Sequence, residues 1–180
     1  MRSEFWSEQF EATGGNPPSW ALQARRLKRA ADLVFGAYLC DLRKMEGGCS
    51  PINLANLETA GPATLLYGLA FENLFKAVIL MKEGAVIEDG RLKKWPGSGH
   101  GLVDLANRAE IQLTTTQSDL LSRLTAFIEW GGRYPIPMSA DKMPLKQIAV
   151  SPEWFPLPIQ PHEQAAVHGF LQMLDAQVLG

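Results

Sequence analysis

The hydrophobic pattern of the chain centres on residues 62–82, a stretch that is apolar on nearly every side. At 3.6 residues per turn, its apolar side chains form two neighbouring stripes along a helix. Pro62 suits the first turn and Gly84 suits the position just past the end, so the pattern predicts a helix of about 22 residues, roughly 33 Å long. A helix that is apolar all round is surrounded by others, and we expect it at the centre of the fold.

A helix of this length would also span a bilayer. Against that alternative, Glu72, Lys76 and Lys82 lie inside or at the end of the stretch, and each ionised group near a bilayer centre costs about 3 kcal/mol. We therefore expect a core helix of a soluble protein. Glu72 precedes Lys76 by four residues, the order and spacing that allow pairing. The sequence thus predicts a coupled, at least partly buried ion pair.

Apolar residues at helical spacing predict four further helices around the central one. Ser19 is expected to cap the first of them, His100 to open the third, and the threonines of residues 114–116 to cap the fourth. With the central helix included, the predicted ranges are approximately 20–46, 62–83, 100–109, 114–130 and 161–178. No convincing pair of period-two strands appears. The predicted fold class is all-α, a bundle of four to five helices.

Two segments lie outside the helical pattern. Residues 1–18 carry Trp6 and Phe10 without a sustained period and are predicted to form a loosely packed N-terminal tail. Residues 135–161 hold seven of the twelve prolines, which excludes a helix or a central strand. Because this proline-rich segment is also rich in apolar side chains, we expect it to wrap the bundle before the last helix. Residues 19–180 are then a single domain.

Composition limits the compartment and the class of partner. A length of 180 residues suits one domain with its own core. The chain has 17 basic and 19 acidic residues, a net charge of −2, so no global field indicates nucleic acid or an anionic membrane. It has two cysteines, Cys40 and Cys49, and no apolar segment after Met1. We therefore expect a cytoplasmic protein with reduced thiols and no membrane partner.

Basic residues are nonetheless concentrated in two places. Residues 25–29 place four cations on the outer face of the first long helix, and residues 91–95 place three beside Trp95. Cations contact phosphates, and cations beside an aromatic ring grip single-stranded nucleic acid. The alternatives are a solvated helix face in the first case and an exposed loop anchored by one tryptophan in the second.

Motifs for metal or cofactor binding are incomplete. His162-Glu163 followed by His168 resembles a zinc-protease helix, but a six-residue spacing sets the two histidines about 240° apart around a helix. The glycines of residues 97–101 follow no strand and precede no Gly-Lys-Ser or Gly-Lys-Thr, so a phosphate loop is not indicated. The two cysteines lack metal-ligand spacing. We expect neither a metal nor a cofactor.

Five residues remain as candidate binding residues: Glu72, Lys76, His100, Arg133 and Tyr134. Ionisable groups in apolar surroundings are unfavourable unless paired, so these form either a structural network or a site. A neutral imidazole at His100 can donate to one partner and accept from another. The guanidinium fork of Arg133 fits a phosphate or a carboxylate, including that of Glu72. His100 and Arg133 are the candidates for any catalytic role.

The chain resembles the HEPN superfamily, named for higher eukaryotes and prokaryotes nucleotide-binding, over about residues 20–135. Three short motifs carry the resemblance, and they are, in order, Glu72-x-x-x-Lys76, His100-x-Leu102-x-x-Leu105 and Arg133-Tyr134-Pro135. The resemblance implies a bundle of four or five helices that often dimerises. It also implies a place in toxin–antitoxin, abortive-infection or other defence and stress systems.

Many members of that superfamily are metal-independent ribonucleases, in which an arginine and a histidine with four to six residues between them join across a dimer cleft. This chain departs from that pattern. The window that follows Arg133 reaches Met138, Ser139 and Ala140, and no other arginine has a histidine at that spacing. The acid–base step of the family therefore has no obvious agent here.

These observations favour a non-nucleolytic HEPN-like protein that binds a nucleotide, an RNA or a protein partner in a defence, stress or toxin–antitoxin module. One alternative is a metal-independent ribonuclease with His100 as general base and with Arg133 or Lys76 stabilising the phosphorane. Another is a structural bundle that docks proteins through the proline-rich segment. We also predict a homodimer, because the two longest helices carry more apolar surface than five helices of this length would cover.

Overall fold

The computed structural model describes residues 2–84, 87–88, 91–92, 95, 97–134, 139 and 157–179. Over these residues the fold is all-α apart from one short hairpin. The helices are α1 (Arg2–Gly14), α2 (Pro17–Glu46), α3 (Leu54–Leu57), α4 (Ala60–Glu83), α5 (Leu102–Arg108), α6 (Thr115–Ala126) and α7 (Gln164–Leu179). A π-helical turn, Phe127–Gly131, extends α6, and a 3₁₀ turn, Pro161–Glu163, leads into α7.

Helix α4 is the centre of the bundle, as its sequence predicts. Tyr67, Phe71 and Phe75 are fully buried, and α2, α5, α6 and α7 all pack against α4. The helix ends at Gly84, whose φ of 79° lies in the left-handed region that glycine tolerates. By length and composition, the run that contains α4 is apolar enough to cross a membrane, but 72% of its apolar window is buried within the protein. This burial fits the core helix of a soluble protein.

The start of α2 differs from the prediction. The helix begins at Pro17, two residues before the expected cap Ser19, and Asn16 occupies the cap position. Proline at the first helical positions is favourable because its φ is already helical and the missing N–H has no partner there. The Nδ2 of Asn16 donates instead to the Ser19 hydroxyl at 3.1 Å.

The boundaries of the last helices follow their sequence signals. Thr114 caps α6 through a capping box with Gln117, in which each side chain bonds the backbone of the other. The apolar residues that recur at helical spacing in α6 and its π-helical turn are buried, and they comprise Leu120, Leu121, Leu124, Phe127 and Ile128. Those of α7 are also buried and comprise Val167, Phe170, Leu171, Leu174 and Val178.

Most of the segment predicted as a loose N-terminal tail forms helix α1. The indole Nε1 of Trp20 donates to the Gly14 carbonyl at 2.8 Å and ties the end of α1 to α2. The apolar pattern does not predict this helix because its large apolar residues face solvent: Phe5 is 52% exposed and Trp6 is 64% exposed. A helix without a buried face lacks the period on which the prediction depends.

Two further predictions need correction or lie outside the described residues. The two-residue strands β1 (Ile87–Glu88) and β2 (Arg91–Leu92) pair antiparallel, a hairpin too short to produce a period-two pattern. The predicted wrapping segment falls mainly outside the described residues, but its end is fixed in the core. There the Ile159 amide donates to the buried Thr64 hydroxyl at 2.9 Å.

Candidate functional site

Glu72 and Lys76 form an ion pair on one face of α4. The Lys76 Nζ lies 2.6 Å from Glu72 Oε1, and each residue is only 6% exposed. Residues four apart on a helix are neighbours, which explains how two charges can satisfy each other inside an otherwise apolar element. The predicted pairing and burial are confirmed.

His100 uses the second oxygen of the same carboxylate. Its Nδ1 lies 2.9 Å from Glu72 Oε2, while 45% of the His100 side chain is exposed. A carboxylate accepts hydrogen bonds, so this contact places a proton on Nδ1. The other ring nitrogen, Nε2, has no hydrogen-bond partner among the described residues, and the imidazole is therefore available to a ligand.

The helix that follows His100 starts later than predicted. Gly101 occupies the cap position of α5 and Leu102 is its first residue, so His100 precedes the helix instead of opening it. The Leu102 amide donates to the Thr125 hydroxyl of α6 at 3.0 Å, which satisfies one of the unpaired donors of a helix start. This bond fixes the start of α5 directly after His100.

Two tryptophans cover the ion pair. The Lys76 ammonium lies 5.2 Å from the centre of the Trp95 ring and 5.9 Å from that of Trp20, and the two indoles meet edge to face. Arg108 lies 5.8 Å from the Trp95 ring. These contacts support the interpretation of Trp95 as an anchor for its loop, since its ring is already engaged by cations of the protein.

Gly99 packs closely against Trp95. Its φ is +78°, and a Cβ at this position would lie 3.2 Å from the Trp95 Cβ. A glycine therefore allows the backbone to pass Trp95 immediately before His100. Loop conformation and tryptophan packing together set the position of the imidazole.

Arg133 and Tyr134 lie past the π-helical turn, and both are exposed. Arg133 Nη2 donates to the Glu129 carbonyl at 2.8 Å, and its guanidinium lies 5.5 Å from the Tyr134 ring centre. The Glu72 carboxylate, which the Arg133 fork would also suit, is occupied by other partners: its two oxygens face Lys76 and His100.

A chain of hydrogen bonds nonetheless connects Arg133 to His100. The Ser98 hydroxyl donates to Glu129 Oε1 at 3.3 Å and accepts from the His100 amide at 3.3 Å. Glu129 in turn bonds Arg133 through its carbonyl. The structure thus joins three of the five predicted residues directly and links Arg133 to them through Ser98 and Glu129.

Charges around the site are nearly balanced. Glu72 neutralises Lys76, and exposed Glu129 accompanies exposed Arg133. Nearby, Arg108 donates two hydrogen bonds to Glu83, at 2.8 and 2.6 Å, and thereby lowers the pKa of that carboxyl. In the described part of the chain, no group of three or more His, Cys, Asp or Glu side chains is arranged to hold a metal ion.

The structure contains a second histidine network, which the sequence patterns do not predict. The Tyr67 hydroxyl donates to Asp32 Oδ1 at 2.8 Å, and His168 Nε2 lies 2.9 Å from the same oxygen and 3.2 Å from the hydroxyl. Burial, aided by the bond to Asp32, raises the pKa of Tyr67 far above its usual value, so the phenol keeps its proton. Lys28 precedes Asp32 by four residues, and this spacing was the only signal in the sequence.

The fold and the site define an all-α bundle whose buried glutamate orients a half-exposed histidine. Comparison of the chain with protein-family models, with curated proteins and with solved structures found no match.

Proposed function

We propose that the chain is a non-nucleolytic HEPN-like protein of the cytoplasm that binds a nucleotide, an RNA or a cognate protein in a defence, stress or toxin–antitoxin module. The observation that carries the proposal is His100, which Glu72 holds at Nδ1 while the ring stays 45% exposed. A buried ion pair is weak evidence for stability, but here it also orients an imidazole at the surface. The bond at Nδ1 fixes the tautomer of the ring and leaves Nε2 as an acceptor for a ligand.

The purely structural alternative explains less. It accounts for the buried Glu72–Lys76 pair, but a core network has no need of a half-exposed histidine on the second carboxylate oxygen. It also leaves Arg133 outside the network, because Arg133 bonds the Glu129 carbonyl.

Among the three kinds of ligand, a nucleotide fits the exposed groups best. The guanidinium of Arg133 suits a phosphate, and the half-exposed ring of Tyr134 offers a surface for a base. His100 can contact either part of the ligand. Long RNA gains affinity from many cations, whereas Glu129 offsets Arg133 here. The balance of charge favours a ligand with few phosphates.

One observation favours the ribonuclease alternative. A carboxylate bonded to one ring nitrogen orients a histidine for general-base work at the other, and Glu72 and His100 have this relationship. The proposed phosphorane stabiliser Lys76 is unsuited to that role, since it is buried and its ammonium bonds Glu72. Cutting would then depend on His100 and Arg133 alone.

Equilibrium binding of a fluorescent adenine mononucleotide to the purified chain tests the proposal. We expect affinity to fall as salt rises, and His100→Ala and Arg133→Ala each to weaken binding about tenfold or more, as for hydrogen bonds to charged groups. Arg29→Ala is the matched control, because Arg29 is exposed on α2 and makes no ion pair with any described residue. Equal binding by all four proteins would contradict the proposed site.

A further inference from the structure

A cleft of about 300 Å³ lies between α2 and α7. Its floor is apolar and its rim is polar; the floor comprises Ala24, Leu74 and Leu171, and the rim includes Arg25, Lys28 and His168. Leu74 follows Glu72 by two residues, a rotation of about 200° around α4. The cleft is therefore on the opposite side of the central helix from the Glu72–Lys76 pair. Its volume and lining are those of a small-molecule site.

Arg25 carries an unsatisfied donor at this cleft. Its Nε donates to both carboxylate oxygens of Asp175, at 3.0 and 2.9 Å. Its Nη2 is buried and is the only buried side-chain nitrogen or oxygen among the described residues without a hydrogen-bond partner. Buried polar groups in native proteins nearly always have a partner, which is protein, water or ligand. Nη2 itself is closed to solvent, but 41% of the Arg25 side chain is exposed, so the guanidinium still offers donors at the rim.

Lys28 and His168 are fixed beside it by Asp32. Lys28 Nζ lies 2.8 Å from Asp32 Oδ2, and His168 Nε2 and the Tyr67 hydroxyl share Oδ1. Tyr67 is fully buried and anchors this network to α4. The Tyr67 hydroxyl donates its own proton to Asp32, so His168 Nε2, which faces the same carboxylate oxygen, is the ring nitrogen that carries a proton.

The hydrogen-bonding capacity left at the rim is mainly that of donors. Both oxygens of Asp32 and both of Asp175 already accept from protein groups. A guanidinium has five N–H donors, of which Arg25 uses the one on Nε for Asp175, and an ammonium has three protons, of which Lys28 uses one for Asp32. A ligand that complements this rim therefore brings acceptors, and a carboxylate does so by sharing the two cations with Asp32 and Asp175, while the floor favours an apolar body.

We propose that this cleft binds a small organic anion, a carboxylate on a compact apolar body. The carboxylate accepts from Lys28 Nζ and from the guanidinium of Arg25, whose side chain is 41% exposed, and the apolar body packs on Ala24, Leu74 and Leu171. The site is independent of the nucleotide site proposed at His100, because it lies on the other side of α4 and uses none of the same side chains.

Benzoate is a suitable probe, and benzamide is its uncharged match. Titration of the full chain with benzoate, followed by NMR of leucine methyl groups, is expected to shift Leu74 and Leu171. We expect benzamide to bind at least tenfold more weakly. Phenyl phosphate tests whether the site distinguishes a carboxylate from a phosphate: the proposal requires that it bind more weakly than benzoate, and tighter binding would overturn the assignment to carboxylates.

Variants separate an anion site from a structural ion pair. Arg25→Gln is expected to weaken benzoate at least tenfold, whereas Arg29→Gln on the same helix leaves it unchanged. Asp175→Asn removes the carboxylate that competes for Arg25, so it is expected to tighten benzoate; a purely structural pair predicts no gain.

Leu171→Trp fills the floor and is expected to abolish binding, which keeps the test valid if Arg25→Gln fails to fold. The proposal is overturned if benzoate and benzamide bind equally, or if neither Arg25→Gln nor Leu171→Trp reduces benzoate binding.

Discussion

Glu72 and Lys76 meet within one turn of α4, with 2.6 Å between Oε1 and Nζ, at a place where both residues are only 6% exposed. Lys76→Met leaves the Glu72 charge buried without its cation, with His100 as the hydrogen-bond partner that remains to it among the described residues. Removing one member of a buried pair costs about 3–5 kcal/mol of unfolding free energy. We expect a loss of that size in urea denaturation, together with a lower melting temperature.

An exposed lysine of the same helix provides the control. Lys82 pairs with Glu110, which is 77% exposed, at 2.8 Å, so Lys82→Met is expected to cost under about 1 kcal/mol. If Lys76→Met is no more destabilising than Lys82→Met, the charge of Glu72 is not held as the structure indicates. The site proposed around His100 would then lose its fixed carboxylate.

The lowered pKa of Asp32 makes the free energy of unfolding depend on pH. Burial acts to raise the pKa of this carboxyl, but hydrogen bonds from Lys28 and Tyr67 outweigh it and lower the pKa overall. A pKa lower in the folded than in the unfolded chain stabilises the fold above the unfolded value, near pH 4. That contribution is lost as pH falls through the folded value.

Asp32→Asn lacks this charge, and we expect it to cost about 1.5–3 kcal/mol at pH 7, as for a hydrogen bond to an ionised group. The difference from the parent protein is expected to shrink below about pH 4, where the parent loses the same interaction. Urea denaturation at pH 7, 5 and 3 measures it. Asp119→Asn is the control, since Asp119 has no ion pair with any described residue. A difference that stays constant over this range would contradict the ionised network.

Local signals predicted most of the fold. The spacing of apolar residues placed α4, α6 and α7, and the Thr114 capping box and Gly84 marked two of their ends. Helix α1 and the two-residue hairpin were missed because neither buries a face long enough to leave a period. Pro17 and Pro18 moved the start of α2 because the first turn of a helix tolerates proline.

The same distinction between local and long-range contacts applies to the candidate site. Glu72 and Lys76 are four residues apart, and helix geometry alone predicted their contact. The contact between Glu72 and His100 spans 28 residues, and that between Tyr67 and His168 spans 101. Contacts of this kind depend on how helices pack, which a single sequence does not encode locally. The sequence indicates His100 as a candidate residue, but its contact with Glu72 is set by the packing of the helices.

Of the two long helices from which the homodimer is predicted, α2 is the one that keeps large apolar side chains exposed along its length. Other helices cover most of α4. Among the large apolar residues of α4, Met81, near the end of the helix, is 49% exposed. On α2, Leu22 and Leu33 are 45% and 61% exposed, and their eleven-residue spacing puts them within about 20° on one stripe. We propose that this stripe forms part of the dimer contact.

Sedimentation velocity at micromolar concentration is expected to give the mass of two chains. Leu33→Glu puts a charge at the proposed contact and should shift the population towards monomer, whereas Leu179→Glu, a change at an exposed leucine near the end of α7, should not. A parent protein that sediments as a monomer at this concentration would show the dimer prediction to be wrong.

Cleavage of RNA separates the binding protein from the ribonuclease. We expect purified protein to leave single-stranded RNA intact between pH 5 and 9, with or without chelator, because Arg133 lacks the companion histidine of the nucleolytic HEPN pattern and Lys76 is bonded to Glu72. If the protein does cut, general acid–base help is worth about 10²–10⁴-fold, and His100→Ala should reduce the rate by that factor. Arg133→Ala should reduce it further through lost stabilisation of charge.

Glu72→Gln makes this test specific to the geometry. The substitution keeps an acceptor near His100 Nδ1 but removes the charge that orients and supports the imidazole, so a His100-dependent cleavage would fall with it. Glu129→Gln would have a smaller effect, because Glu129 bonds Ser98 and Arg133 and has no hydrogen bond to the His100 ring among the described residues. Chelator-resistant cutting that disappears in His100→Ala and falls in Glu72→Gln would replace the binding proposal with the ribonuclease. Cutting that survives both substitutions would come from a contaminant or from groups outside this site.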